Sequence, residues 1–249
     1  MNTLGIILAR AGSVGLPNKH LLSLVGRPVI DYTFQYAREA RRLSRVVVTS
    51  DCAHILTLAR NEGFEIVERP AALASSEASV QDTCLHAMES VEARSGFHAD
   101  AIVVLYGNVA VRDPTVIDRS VELLEATGCD SVRSLTPVGK WHPAWMHRLD
   151  GETMRPLHPN SIHRRQDLEP IYLHDGAAIA IARRSMLRVR HDRTDPHTFF
   201  GVDRRGVVSD MDQTVEIDHQ RDLYWAEAVL RERGLAEQQS TLAGRRMSA

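Results

Sequence analysis

The sequence predicts an α/β protein in which a mostly parallel sheet lies between two layers of helices. The first observation is that short apolar runs alternate with amphipathic stretches of about ten residues or more. The second is that glycine, proline and acidic residues separate these segments as turn signals. Such alternation is typical of βαβ units, whose strands pair in parallel. The 249 residues, 43% hydrophobic and 25% charged, are enough for one large domain of this class.

Five apolar runs predict the buried strands of this sheet, at residues 4–8, 46–49, 64–67, 101–105 and 176–182. In a parallel sheet, ligands bind beyond the carboxyl ends of the strands. The segments that follow the first four strands therefore form the expected binding region. They are residues 9–19, Ser50-Asp51, Arg69-Pro70 and Tyr106-Gly107-Asn108.

Helices are predicted between these strands from their start and stop signals. Pro28 suits the first turn of one helix, and Asp51 is expected to cap the next. A third helix is expected over residues 79–93. The Asp-Pro pair at residues 113–114 begins a fourth, which Gly128 ends.

Two segments depart from this alternation. Residues 139–175 are rich in His, Arg, Pro and Trp and predict an arm or insertion that packs on another subunit or covers the site. A long surface loop is the alternative. A last helix carries an apolar stripe over residues 223–230 and is expected to end at Gly234. The sequence thus predicts a single domain over residues 1–236, with 237–249 as a loose tail.

The overall composition argues against several classes of protein. A net charge of −2 indicates no general polyanion-binding surface, so no nucleic-acid partner is expected. No apolar run approaches the roughly 20 residues that span a bilayer, and the N-terminus lacks a signal-peptide pattern, so no membrane association is expected. The isolated cysteines fit reduced thiols and a cytoplasmic location. No Cys/His spacing typical of a zinc site occurs.

The first loop of the chain has the character of an anion site. It follows an apolar strand and contains Arg10, Gly12, Gly15 and Lys19. Exposed backbone N–H groups and two cations in such a loop can cradle a triphosphate. Neither standard phosphate-loop pattern is present. A common glycine-containing turn with solvated cations is the alternative.

Residues 8–19, Leu-Ala-Arg-Ala-Gly-Ser-Val-Gly-Leu-Pro-Asn-Lys, resemble the A-R-x-G-S-K-G-[IL]-P-x-K-N signature of the CMP-nonulosonate synthetases. These acylneuraminate cytidylyltransferases activate sialic acid and its relatives with CTP. Val14 stands where the family has its first Lys, and His20 where it has an Asn. The resemblance implies a three-layer αβα, Rossmann-like nucleotidyltransferase fold with a dimerisation arm. It also implies the nucleotide-binding residues Leu8, Ala9, Arg10, Gly12, Ser13, Lys19, Arg69, Ser79 and Asn108.

Two further segments resemble the family in the same order along the chain. Residues 69–82 resemble R-P-x-x-L-A-x-D-x-A-S-x-x-D, with Ser76 where the first Asp would stand. This match implies that Arg69 contacts the nucleotide; a surface arginine beside a proline is the alternative. Residues 105–112 stand where the family has L-Q-P-T-S-P-L-R. Their ends match and their central residues do not, which affects the expected substrate more than the reaction.

The next matches concern the sugar. Residues 163–168 and 175–177 resemble R-R-Q-D-L and N-G-A of the family, and residues 199–200 its F-F pair. The implied sugar-binding residues are Tyr106, Asn108, Arg164, Arg165, Gln166, Asp175, Phe199 and Phe200. An ion-pair cluster is the alternative for the two arginines, and a core position for the two phenylalanines. Asp175 replaces the Asn of the family, and its charge is expected to need a neighbouring arginine.

Residues 214–218 resemble the S-V-D-I-D-T metal segment of the family. Alternation along a short strand points Glu216 and Asp218 to the same side. Two carboxylates at this spacing suit one shared Mg²⁺. An N-cap of the last helix is the alternative for Asp218.

Together these matches imply a cytidylyltransferase that joins CTP to a nonulosonic acid and releases pyrophosphate. Arg10, Lys19 and Asp218 are the expected catalytic residues, and no side-chain nucleophile is expected because phosphoryl chemistry depends on positioning and charge. The expected partners are CTP and an acidic nine-carbon sugar. The arm suggests a homodimer in which each arm reaches the cleft of the other subunit.

Three other hypotheses stay open at this point. A 3-deoxy-manno-octulosonate cytidylyltransferase has an Arg before Leu-Pro, where this chain has Gly15. A metal-dependent glycosyltransferase would use the D-x-D at Asp210-Met211-Asp212. The departures from the family signature also allow a relative that binds nucleotide without turnover.

Overall fold

A computed structural model describes residues 1–12, 15–75, 77–210 and 213–247, with side chains described as far as residue 234. The strands are β1 (Thr3–Leu8), β2 (Ser23–Leu24), β3 (Arg27–Pro28), β4 (Arg45–Ser50), β5 (Glu65–Glu68), β6 (Ala101–Tyr106), β7 (Val109–Val111), β8 (Ser131–Pro137), β9 (His147–Asp150), β10 (Thr153–Pro156), β11 (Tyr172–Ala182), β12 (Arg204–Val208) and β13 (Val215–Glu216). The α-helices are α1 (Val29–Glu39), α2 (Ala53–Asn61), α3 (Val80–Ser95), α4 (Val116–Thr127), α5 (Arg183–Met186) and α6 (Gln220–Met247).

A seven-stranded sheet with the order β12-β8-β11-β6-β1-β4-β5 forms the centre of the protein. β1 pairs in parallel with β4 and β6, β4 with β5, and β12 with β8. β11 is antiparallel to both of its neighbours, β6 and β8. The predicted mostly parallel sheet is therefore confirmed.

Side chains alternate between the two faces of the sheet and build a core on each. Ile7 packs with α1, α2 and α4 on one face, because those helices bring their apolar stripes to it. Ile6 packs with α3, α5 and the turn Thr198–Phe200 on the other. The predicted three layers follow from this division. A third cluster joins α6 to α1 and to the small β7–β13 sheet.

Several element predictions need correction. β8 and β12 are not predicted, because polar residues interrupt their apolar alternation. Asp51 does not cap α2, because its Oδ1 atom accepts a hydrogen bond from the Ala11 N–H at 2.9 Å. The predicted end at Gly234 is wrong, because α6 continues to Met247. The Gly128 stop is confirmed: this residue follows α4 with φ +63°.

The predicted arm begins with two short 3₁₀ turns and continues as the β9–β10 hairpin. It returns to the sheet through β11, an eleven-residue strand. The pairing of β11 with β8 is interrupted by a bulge between His174 and Ile179, and Gly176 in the bulge has φ +73°. The arm is thus directly continuous with a central strand. Within the described part of the chain, no helix combines the length and apolar character needed to cross a bilayer.

Candidate active site

A pocket of about 270 Å³ lies at the carboxyl ends of β1, β5 and β6. The predicted edge of the sheet therefore carries a cavity. Most of the predicted nucleotide-binding residues line it, namely Leu8, Arg10, Lys19, Arg69, Ser79 and Asn108, together with Tyr106. Cations dominate one part of the lining, and Glu216 supplies a carboxylate.

The first loop is fixed at both of its described ends. The Arg10 guanidinium donates a hydrogen bond to the Ser75 carbonyl oxygen at 2.9 Å. At Gly15 a Cβ atom would lie 3.0 Å from the Asp218 carbonyl oxygen, so glycine permits this close approach. A Cβ at Gly12 would meet no described atom within 4 Å. Of these two glycines, therefore, only Gly15 lies where a side chain would be crowded.

Ala9 and Ser13 do not add to the described pocket lining. Ala9 is buried, and its N–H donates to the Thr49 carbonyl oxygen at 3.2 Å, which extends the β1–β4 pairing. Ser13 and Val14 lie outside the described residues. The predicted contact of Ser13 with the nucleotide stays a prediction.

Lys19 and Asp218 meet across the pocket mouth. Asn18 has φ +53° and begins the short turn that presents Lys19. The Lys19 Nζ atom lies 2.6 Å from Asp218 Oδ1, although 199 residues separate them in sequence. The fold thus places the opening loop and the acidic segment near the C-terminus at one site.

Asn108 joins the two acidic residues to the end of β6. Its buried amide nitrogen donates to Glu216 Oε1 at 3.1 Å, to the Ile217 carbonyl oxygen at 3.1 Å and to Asp218 Oδ1 at 3.3 Å. Desolvation and the neighbouring Asp218 raise the pKa of Glu216. Two carboxylates are therefore held side by side with incomplete charge compensation.

Arg69 and Ser79 approach the pocket from β5 and α3. Arg69 is buried, and its guanidinium donates to the Thr49 carbonyl oxygen at 2.9 Å, so the surface-arginine alternative is wrong. Burial lowers the pKa of Arg69. Ser79 is the N-cap of α3, and its hydroxyl oxygen accepts the Asp82 N–H at 3.0 Å. A ligand at Ser79 would share a hydroxyl that already caps a helix.

Arg112 fixes the backbone beneath this pocket. Its fully buried guanidinium donates to the carbonyl oxygens of Tyr106 at 2.6 Å and Ala177 at 2.9 Å, and to Thr33 Oγ1 at 2.8 Å. It also contacts the Val109 carbonyl oxygen. Burial lowers its pKa to about 10. The segment between β6 and β7 is therefore held to β11 and α1 by one residue.

A second pocket of about 260 Å³ adjoins the first and shares Tyr106 and Glu216 with it. Arg133 and His174 line the second pocket and not the first. Neither residue is predicted from the sequence: Arg133 lies on β8, which is not recognisable as a strand, and His174 falls in the segment predicted as an arm.

Asp175 lies beside this second pocket as a structural acceptor. Its Oδ1 atom accepts the Ala177 N–H at 3.0 Å and contacts the Ser134 hydroxyl, and its Oδ2 atom accepts the Thr214 hydroxyl at 3.0 Å. Hydroxyl and amide donors thus compensate the carboxylate. The expected neighbouring arginine is not among the donors that the structure describes.

The other predicted sugar-binding residues do not line either pocket. Phe199 and Phe200 are 2% and 3% exposed and stack on each other at 4.2 Å, which supports their core alternative. The arm residues Arg164, Arg165 and Gln166 are exposed, and Arg164 forms an ion pair with Asp167 at 2.8 Å. None of these five residues lines either pocket of its own chain.

The sequence profile of the family described as "Cytidylyltransferase" matches residues 4–228, nearly the whole chain. The chain belongs to the cytidylyltransferase family. The N-acylneuraminate cytidylyltransferase of Streptococcus agalactiae is 28% identical over 192 residues, which cover 76% of this chain and 45% of that protein. The CMP-N,N'-diacetyllegionaminic acid synthase of Legionella pneumophila is 26% identical over 199 residues, which cover 79% of this chain and 84% of that protein. The chain thus spans less than half the length of the first relative.

A solved structure supports the fold of this family member. CMP:2-keto-3-deoxy-manno-octonic acid synthetase complexed with CTP aligns with a TM-score of 0.72, over 94% of this chain and all of that one. The sequence identity is 16%, so this similarity shows the fold alone. The predicted nucleotidyltransferase fold is confirmed.

Two departures of this chain from the family signature lie in contact. A Cβ atom at Gly107 would lie 3.0 Å from His20 Cδ2 and 3.1 Å from the Leu8 carbonyl oxygen. The imidazole of His20 is 4% exposed, and burial lowers its pKa to about 3. The larger ring at position 20 therefore occupies space that a glycine at position 107 leaves open.

The D-x-D hypothesis falls partly outside the described chain. Met211 and Asp212 lie outside the described residues, so no geometry is assigned to this motif. Among the described residues, no group of three or more His, Cys, Asp or Glu side chains could hold a metal. A metal at Glu216 and Asp218 would need further ligands from a bound nucleotide or from water.

Proposed function

We propose that this cytidylyltransferase joins CTP to an acidic nine-carbon sugar of the nonulosonic class and releases pyrophosphate. One observation carries the proposal: a single pocket brings Arg10, Lys19 and Arg69 to Glu216, and Lys19 of this pocket is paired with Asp218. Cations and paired carboxylates around one cavity suit a nucleoside triphosphate with a divalent cation. The relatives' names supply the sugar class.

In the proposed reaction the anomeric hydroxyl oxygen of the sugar attacks the α-phosphorus of CTP. The new bond joins that oxygen to the α-phosphorus, and the bond to the oxygen bridging the β-phosphorus breaks. Pyrophosphate leaves with the electron pair, and the hydroxyl proton passes to solvent. No side-chain nucleophile is required, because positioning and charge stabilisation provide most of the catalysis in such transfers.

Arg10 and Lys19 stabilise the charge that grows on the phosphate oxygens. Both line the cavity from the first loop, and their positions are set by Ser75 and Asp218. Fixed cations need no rearrangement as charge develops, which is why preorganised donors lower the barrier. Asp218 in turn orients the Lys19 ammonium group by its contact at 2.6 Å.

Glu216 and Asp218 fit a Mg²⁺ ion. Desolvation and, after it, the neighbouring Asp218 raise the pKa of Glu216, and a divalent cation bound between the two carboxylates would offset both effects. Oxygen ligands from two carboxylates and a triphosphate are those that Mg²⁺ prefers. When bound, the ion would supply positive charge to the phosphate oxygens.

A pyrophosphate-release screen tests the proposal. The purified chain is incubated with Mg²⁺, each of the four nucleoside triphosphates and a panel of sugars. The panel includes sialic, legionaminic and pseudaminic acids, 3-deoxy-manno-octulosonate and neutral hexoses. We expect release with CTP and a nonulosonic acid, and a CMP-sugar product by mass spectrometry. Binding of CTP without release on any sugar would contradict the proposed activity.

We also propose that the arm forms a homodimer. Its large apolar side chains are exposed, with Trp141 at 67%, Leu149 at 74% and Met154 at 62%. Exposed apolar groups in one segment are typical of an interface. A dimer would also give the exposed Arg164 and Arg165 a route to the partner's cleft. Light scattering that shows only monomer at micromolar concentration would contradict this proposal.

We also propose a cytoplasmic location, supported by the free thiols of Cys52, Cys84 and Cys129.

A further inference from the structure

The second pocket holds a cation without an assigned partner. Arg133 points from β8 into this cavity of about 260 Å³, where its Nε atom is buried and has no hydrogen-bond partner among the described residues. The described ion pairs of this region use other arginines, such as Arg184 with Asp130 at 2.9 Å. A buried N–H group is rarely left without an acceptor, because its desolvation is costly.

The surroundings of Arg133 hold it in place without neutralising it. Its guanidinium lies 4.5 Å from the centre of the Phe200 ring, a stacking contact that fixes the plane of the group. Desolvation lowers the pKa of Arg133, and Arg204 adds to this effect. Partial burial and Arg133 lower the pKa of His174, so this imidazole is uncharged at neutral pH. Arg133 is thus the cation that lines this pocket.

The acidic groups near the pocket are already engaged. Asp175 accepts hydrogen bonds from the Ala177 N–H and the Thr214 hydroxyl. Glu216 accepts the Asn108 amide at 3.1 Å and lies on the boundary shared with the first pocket. Neither carboxylate forms an ion pair with Arg133 in the described structure. The guanidinium therefore remains available to an external anion.

We infer that Arg133 binds the carboxylate of the acidic sugar and that the second pocket is the sugar subsite of this chain. The inference rests on the proposed function. A planar guanidinium matches a carboxylate through two parallel hydrogen bonds. In a 2-keto sugar acid the carboxylate and the anomeric hydroxyl are attached to the same carbon. Holding the carboxylate therefore also orients the oxygen that attacks CTP.

Arg133 is not among the sugar-binding residues that the sequence implied. The adjacent arginines of the arm, Arg164 and Arg165, are exposed in their own chain, and Arg164 is paired with Asp167. Arg133 lines a cavity that touches the first pocket through Tyr106. A subsite built by Arg133 is present in one chain and does not require an arm from a partner.

The test compares Arg133→Gln and Arg133→Lys with a matched control, Arg205→Gln. Arg205 is an exposed arginine on β12 whose guanidinium is paired with Asp203. Steady-state kinetics are measured with CTP and the best acidic sugar of the screen, and calorimetry gives CTP affinity separately. We expect kcat/KM for the sugar to fall about 10- to 100-fold in Arg133→Gln, from the loss of a charged hydrogen-bonding pair. In Arg133→Lys the fall in kcat/KM should be smaller, because lysine keeps the positive charge but cannot form two parallel hydrogen bonds.

A second measurement separates binding of the carboxylate from a general packing effect. The parent protein should reject the methyl ester of the sugar acid, whereas Arg133→Gln should discriminate little between acid and ester. CTP affinity and thermal stability near those of the parent would exclude general damage. An unchanged KM for the acid in Arg133→Gln, with the parent active, would overturn this inference and leave the proposed function intact. A parent protein that neither binds nor converts any acidic sugar would overturn both.

Discussion

Replacement of Lys19 tests the proposed charge stabilisation most directly. Lys19 makes one described ion pair, with Asp218 at 2.6 Å; the Lys19 side chain is 17% exposed and the Asp218 side chain 51%. Because Asp218 stays half-exposed without its partner and Met keeps the apolar stem of Lys19, Lys19→Met should change the free energy of unfolding by no more than about 1 kcal/mol. Its effect on turnover should be larger. Removing one preorganised donor to a developing anion lowers kcat about 100- to 1,000-fold.

The assay is pyrophosphate release at saturating CTP and sugar, with urea unfolding in parallel. Arg38→Met is the matched control, since Arg38 and Glu62 form an ion pair at 2.9 Å whose side chains are 52% and 47% exposed. The control should keep its kcat and lose a similar amount of stability. A Lys19→Met protein with kcat within about threefold of the parent would refute the role assigned to Lys19. Loss of activity that parallels unfolding would refute it equally.

Three further predictions concern the same pocket. Asn108→Asp should lower kcat at least about tenfold, because the amide that holds the two acids is lost. The added carboxylate should also lower the Mg²⁺ concentration that gives half the maximal rate in a metal titration, since its negative charge attracts the cation; unchanged metal dependence would contradict this. Gly107→Ala should lower the free energy of unfolding by about 1–3 kcal/mol, since its Cβ would meet His20 at 3.0 Å, whereas the uncrowded Gly234→Ala should not destabilise the protein. Burial lowers the pKa of His20 from 6.5 to about 3. Below about pH 6.5 the imidazole is therefore protonated in the unfolded chain but not in the folded chain, and the free energy of unfolding falls as the pH drops. His20→Asn should therefore lose less stability than the parent between about pH 7 and about pH 5 in urea titrations, and equal losses would contradict the assignment.

The sequence was sufficient for the parallel part of the fold. β1, β4 and β6 are continuous apolar runs because both of their faces are covered, and such runs are recognisable without a structure. β8 and β12 were missed because Arg133, Ser134 and Arg204 give them a polar character. α6 was predicted too short, because a glycine in an exposed helix is a weaker stop than one with positive φ.

The candidate active site could be predicted only in part. Residues on the loops after parallel strands meet at one edge of the sheet, which explains why Arg10, Lys19 and Arg69 converge as expected. The resemblance implied that Lys19 and Asp218 serve one site, but their contact is a finding of the structure, because no local pattern connects positions 199 residues apart. Arg133 could not be selected from its own segment. Its importance depends on the lack of a partner, which is a property of the folded chain.

The bulge in β11 gives one short segment two roles, as a wall of the second pocket and as part of the core. Before the bulge the strand pairs with β8 and after it with both β6 and β8, whereas residues 175–178 are released from that register. Within this stretch the Cα of Gly176 faces Tyr106 and Glu216 so closely that a methyl group would approach a ring carbon to 3.3 Å. Ala177 and Ala178 of the same segment are fully buried, and the Ala177 carbonyl oxygen accepts a hydrogen bond from Arg112. A replacement that reshapes the cavity wall here is therefore expected to lower the stability of the fold as well, most of all at Gly176, whose φ of +73° disfavours any side chain.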